Sequence, residues 1–91
     1  DQDTVDGGVG NDSLWGNAGN DSVVANEGND LVYGEAGHDT VTGGNGVDIL
    51  SGGSDNDYLY GEGGNDTLYG DENDDYVNGG FNEDLLYGGS G

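Results

Sequence analysis

The chain has 91 residues, 20 acidic side chains and neither lysine nor arginine, for a formal charge of −20. That length allows one small domain, and the missing cations exclude nucleic acid as a partner. No apolar stretch approaches the roughly 20 residues a membrane-spanning helix needs, no signal-peptide pattern lies within it, and without cysteine there is no disulfide.

Along the chain, aspartate recurs at every ninth position: Asp3, Asp12, Asp21, Asp30, Asp39, Asp48, Asp57, Asp66, Asp75 and Asp84. Two residues after each stands an aliphatic side chain: Val5, Leu14, Val23, Val32, Val41, Leu50, Leu59, Leu68, Val77 and Leu86. Each aliphatic centres a predicted three-residue strand whose flanking residues point outward. In chain order these are Thr4–Asp6, Ser13–Trp15, Ser22–Val24, Leu31–Tyr33, Thr40–Thr42, Ile49–Ser51, Tyr58–Tyr60, Thr67–Tyr69, Tyr76–Asn78 and Leu85–Tyr87. The glycine-rich six-residue segments between them are turn-like, because glycine permits positive φ. Helices are excluded, since a nine-residue period with this much glycine makes no helical stripe.

Ten aliphatic side chains are too few to offset the ordering of so glycine-rich a backbone, and 30% hydrophobic residues at this charge is a disorder-prone composition. Carboxylates stacked in rows also repel. The bare chain is therefore expected to be unfolded at low ionic strength, with a cation as part of the fold. An EF-hand does not supply it: Asp1-Gln2-Asp3 begins like one, but Val5 fills the third ligand position and Asp6 the place of the required glycine.

Cut at nines, the chain reads GGVGNDSLW (Gly7–Trp15) through GGFNEDLLY (Gly79–Tyr87), with a partial repeat before and GGSG (Gly88–Gly91) after. It resembles the RTX, or hemolysin-type, calcium-binding nonapeptide GGxGxDxUx over its whole length. The resemblance implies an all-β, right-handed parallel β-roll. Two nonapeptides make each 18-residue turn, about five turns stack about 4.8 Å apart into a thin rod roughly 25 Å long, and two parallel sheets face each other. Residues 1–91 form a single such domain, read as a fragment of a longer repeat protein.

In the family each Ca²⁺ lies between two loops stacked on one edge. Carried over, the ten lattice aspartates supply side-chain oxygens. Backbone carbonyls come from the first, second and fourth residues of each loop: Gly7, Gly8, Gly10, Ala25, Asn26, Gly28, Gly43, Gly44, Gly46, Gly61, Glu62, Gly64, Gly79, Gly80 and Asn82 on one edge. On the other they come from Gly16, Asn17, Gly19, Gly34, Glu35, Gly37, Gly52, Gly53, Asp55, Gly70, Asp71 and Asn73. The loops Gly52–Asp57, Gly70–Asp75 and Gly79–Asp84, where Asp55, Asn73 and Asn82 replace glycine, are the expected weak sites. About seven to nine Ca²⁺ would bring +14 to +18 against −20.

The outer faces are unequal. One sheet presents Trp15, Leu31, Tyr33, Ile49, Tyr69, Leu85 and Tyr87, an aromatic and aliphatic surface suited to self-association or to packing on a neighbouring domain. The opposite sheet reads as mostly hydroxylated or polar. This segment is not expected to be an enzyme: His38 is the sole histidine, in a variable loop position that reads as exposed loop filler, and no arrangement of residues supports a nucleophile–base pair built on it. The resemblance implies a secreted or cell-surface bacterial protein, exported by a type I system and folded by Ca²⁺ outside the cell. The alternative is a structural unit of a surface layer, sheath or filament.

Overall fold

The computed structural model describes residues 1–91 and holds ten strands and no helix: β1 (Thr4–Val9), β2 (Ser13–Ala18), β3 (Ser22–Glu27), β4 (Leu31–Ala36), β5 (Thr40–Asn45), β6 (Ile49–Ser54), β7 (Tyr58–Gly63), β8 (Thr67–Asp71), β9 (Tyr76–Phe81) and β10 (Leu85–Tyr87). Odd strands form one parallel sheet in the order β1-β3-β5-β7-β9, and even strands form the other, β2-β4-β6-β8-β10. Every paired residue meets its counterpart 18 positions along, as Val23 meets Val41 and Val32 meets Leu50. The chain is a parallel β-solenoid of about five turns, two nonapeptides to a turn.

The strands are longer than the alternation around each aliphatic residue suggests. Most run six residues, through the first three positions of the loop that follows. The reason is that the first loop residue faces inward again, extending the in–out alternation by one step. In β3 both Val23 and Ala25 are fully buried. The turn proper begins at the second loop position, where the backbone enters positive φ, as at Asn26 (φ 80°) and Glu35 (φ 82°).

The core is one row of side chains between the sheets. Val23, Ala25, Val32, Val41, Leu50, Leu59 and Leu68 are completely enclosed, with Val5, Leu14 and Val77 packed against them. Leu86, expected inside, is 47% exposed, because β10 pairs only with β8. With extents of 26 × 24 × 14 Å the molecule is a slab, not the thin rod expected. Six-residue strands make each turn about as wide as five turns are tall.

The even sheet carries the expected aromatic column as two stacks. Trp15 lies on Tyr33 (ring centroids 5.9 Å apart) and Tyr69 on Tyr87 (4.9 Å, 5° between planes), parted by Ser51. The odd sheet is less polar than its composition suggests. Tyr76 packs against both Tyr58 and Tyr60, at 5.9 and 5.8 Å, and Phe81 stands 80% exposed at the edge of the same face.

Leu59→Ala removes a fully buried side chain that two neighbouring rungs share. It is expected to lower unfolding free energy by about 2–5 kcal/mol in urea titrations of the folded protein, whereas Leu86→Ala changes it by less than about 1 kcal/mol.

Candidate metal centre

The loops of each edge stack in register, and each lattice aspartate reaches along the stack. From Asp21 onward, its Oδ1 accepts the backbone N–H of the aspartate one rung earlier. The Asp12 N–H donates to Asp30, Asp30 to Asp48, Asp48 to Asp66 and Asp66 to Asp84, at 2.7–2.9 Å. On the other edge Asp3 donates to Asp21, Asp21 to Asp39, Asp39 to Asp57 and Asp57 to Asp75, at 2.7–2.9 Å. The ten aspartates thus form two columns. Those from Asp21 to Asp66 are at most 3% exposed, and their backbone N–H groups are satisfied by carboxylates rather than by carbonyls.

A second ladder runs beside the first in the opposite direction, and the sequence reading passed over it. The residue before the aspartate is asparagine in five repeats: Asn11, Asn20, Asn29, Asn56 and Asn65. Each Oδ1 accepts the N–H of the same position one rung later: Asn29 on Asn11, His38 on Asn20, Val47 on Asn29, Asp74 on Asn56 and Glu83 on Asn65. His38, expected to be loop filler, occupies this ladder too, its Nδ1 accepting the Asn56 N–H at 3.1 Å. The recurring Gly-Asn-Asp triplet was the available signal.

The other carboxylate oxygen has nothing to bind. Oδ2 of Asp12, Asp21, Asp30, Asp39, Asp48, Asp57, Asp66 and Asp75 is buried and lacks any hydrogen-bond partner. Such an atom is costly to leave unmet. In the seven of these aspartates' loops that begin with glycine, Oδ2 points at that first residue, where a carbonyl of the next rung also arrives. A methyl group on Gly34 would lie 2.6 Å from Asp39 Oδ2 and 2.7 Å from the Gly52 carbonyl, and one on Gly52 would lie 2.5 Å from Asp57 Oδ2 and 2.9 Å from the Gly70 carbonyl. Glycine keeps this space open to oxygen atoms. Burial, the largest cause, pushes Asp48 and Asp57 up to about 6; the backbone N–H of Asp30 and Asp39 opposes it, and carboxylates on neighbouring rungs add to it. Asp39, Asp66 and Asp75 are raised for the same first reason.

These oxygens fit a hard cation, which accepts six to eight oxygen ligands. No three His, Cys, Asp or Glu side chains converge on one point. The donor set is therefore carboxylate oxygens mixed with backbone carbonyls, as in a site built between rungs. Of the expected carbonyl donors, those of Ala25, Gly34, Gly52, Gly61, Gly70 and Gly79 point into the space beside an unpartnered Oδ2, and Gly88, not among those expected, joins them. The carbonyls of Gly10, Gly19, Asn26, Gly28, Glu35, Gly46, Glu62, Asp71 and Asn73 instead face the backbone of the same position one rung along.

The loops expected to be weak keep the common geometry: Asp55 (φ 81°), Asn73 (φ 82°) and Asn82 (φ 78°) hold positive φ where other repeats use glycine. Ala25 is the more consequential departure. It alone puts a methyl at the first loop position, and that methyl is fully buried. The space between the loops Ala25–Asp30 and Gly43–Asp48 is accordingly the most restricted.

The family model described as the RTX calcium-binding nonapeptide repeat (4 copies) matches residues 1–32, 15–50, 24–59, 42–77 and 60–91, which together span the chain. No curated protein matches it, and no solved structure does.

Gly34→Ala fills one such space at a residue whose φ suits any side chain. Isothermal titration is expected to show about one fewer tight Ca²⁺ than the parent, with the β-sheet circular dichroism in excess Ca²⁺ retained. The pH dependence has two signs. Folded-state values raised from 3.8 to about 6 mean that the metal-free fold gains stability as pH falls through about 6 toward 3.8, and loses it on the way up. Over the same window protons compete with the cation. Chelated samples should therefore gain β signal on acidification, while the Ca²⁺ concentration needed for half-folding rises.

Proposed function

This chain belongs to the family of RTX calcium-binding nonapeptide repeats, and from that membership we propose that it is a Ca²⁺-dependent folding module of a secreted or cell-surface protein. The observation that carries the reading is the set of eight buried, unpartnered Oδ2 atoms in two columns. Eight rung-to-rung aspartate steps are present, which supports about seven to nine ions. Bound Ca²⁺ supplies the positive charge that chain composition lacks. The chain's own part is to hold each Oδ2 and its carbonyl neighbours at a fixed separation and to keep water from the inner side. In a compartment poor in Ca²⁺ the carboxylates repel and the module stays unfolded, a state suited to type I export; millimolar Ca²⁺ outside then drives folding. The segment acts by binding and not by catalysis.

A second reading is a structural unit of an extracellular assembly. It is favoured by the even sheet, where Trp15, Ile49, Tyr69, Leu85 and Tyr87 are each more than a third exposed on one face, with Leu31 and Tyr33 half-buried among them.

Chelation should abolish the β-sheet circular dichroism, and added Ca²⁺ should restore it cooperatively; a spectrum indifferent to EDTA would refute Ca²⁺-dependent folding. In sedimentation experiments in millimolar Ca²⁺, the structural reading expects oligomers that Tyr33→Ser with Tyr69→Ser dissolves, and a strictly monomeric parent counts against it.

A further inference from the structure

A groove of about 440 Å³ opens on the odd sheet, away from the expected interaction face, lined chiefly by Asn45, Tyr60, Glu62, Gly63, Asn78 and Phe81. Its floor is Gly63. That glycine is not among the positive-φ residues, it lies outside the enclosed core, and a methyl there would meet only the Asn45 amide oxygen, at 3.1 Å, and the Gly44 carbonyl, at 3.8 Å. Neither backbone geometry nor packing calls for glycine at this position. The third loop residue carries a side chain in every other repeat, so the lack of one here is what makes the groove.

The walls are mixed. The Phe81 ring stands 80% exposed on one side. Tyr60, steadied by Tyr76 at 5.8 Å, lies on the other. Asn78 spends its Oδ1 on the Gly80 N–H, which leaves its NH₂ as an uncommitted donor in the lining. Asn45 adds an amide and Glu62 a carboxylate, neither of them paired with another side chain.

We propose that this groove binds a neutral saccharide, one hexose ring lying over Gly63 against the face of Phe81. A sugar ring presents an apolar C–H face to an aromatic ring and a rim of hydroxyls, each both donor and acceptor. The groove matches that with aromatic walls and a rim offering both donors (Asn78, Asn45) and acceptors (Glu62, Asn45). Charge decides among the competitors. With no lysine or arginine anywhere in the chain, and Glu62 on the rim, the groove offers no cation to pair with an anionic sugar. A cation would want acceptors on every side and gains nothing from the Asn78 amide donors. The volume lies within the range of small-molecule sites.

The test uses the Ca²⁺-folded protein, its fold verified by circular dichroism, so that loss of Ca²⁺-dependent folding registers separately. Cellobiose, maltose, lactose, digalacturonic acid and tetramethylammonium are titrated while the ring resonances of Tyr60 and Phe81 are followed by NMR, with Trp15 on the opposite sheet as internal control. At least one neutral disaccharide should shift the Tyr60 and Phe81 signals and leave Trp15 in place. Gly63→Val, which fills the floor, and Phe81→Ala, which removes the wall, should each weaken that binding about tenfold or more without changing the Ca²⁺ titration. Failure of all three neutral sugars overturns the proposal. So does equal binding by both variants, tetramethylammonium binding in their place, or shifts that depend on protein concentration alone.

Discussion

One carboxylate oxygen per repeat, buried and without a partner, sets the terms for the rest of this molecule. From Asp21 onward, each lattice aspartate uses its Oδ1 to satisfy a backbone N–H one rung away, which draws the side chain into the stack and out of water. The same geometry strands Oδ2 opposite a carbonyl. Glycine at the first loop position, the exclusion of basic side chains and the strict eighteen-residue pairing all serve to keep that oxygen available to a cation. Had a lysine reached the columns, it would have neutralised one carboxylate and closed the space.

The hydrophobic row and the carboxylate columns depend on each other. The row contains seven fully buried residues and cannot alone fix ninety residues of glycine-rich chain. The columns cannot stack while charged. In the proposed function a cation removes the second obstacle and lets the first contribution count, which would make metal binding and sheet formation a single cooperative event. The raised values at Asp48 and Asp57 express the same conflict in protons, since the backbone N–H each receives offsets burial only in part.

Much of this was legible in the chain, because nine-residue spacing and in–out alternation leave a mark at every repeat. The pairing of Asp12 with Asp30 and of Asp21 with Asp39 follows from the period together with two strands per turn. The asparagine ladder was harder to see: Asn11, Asn20 and Asn29 are interrupted by His38 and Val47, and the role belongs to a hydrogen-bonding atom that imidazole also supplies. The inward turn of the first loop residue was hidden because glycine reveals nothing about facing; Ala25 was the one informative case. The Tyr58–Tyr60–Tyr76 cluster was split between two columns and only the fold brings its rings together.

The 18-residue pairing also governs how such a chain can change length. Inserting one nonapeptide would preserve the local motif everywhere, yet it would send every later strand to the opposite sheet. An insertion between Tyr33 and Tyr69 would carry Tyr69 and Tyr87 to the face now held by Tyr58 and Tyr76, so the two aromatic stacks would no longer share a face. Adding two nonapeptides would disturb neither face. Duplication in pairs is thus neutral for whatever the faces contact, and duplication of a single repeat is not. Evolution can lengthen this protein freely only by whole turns, although the metal-binding motif repeats twice as often.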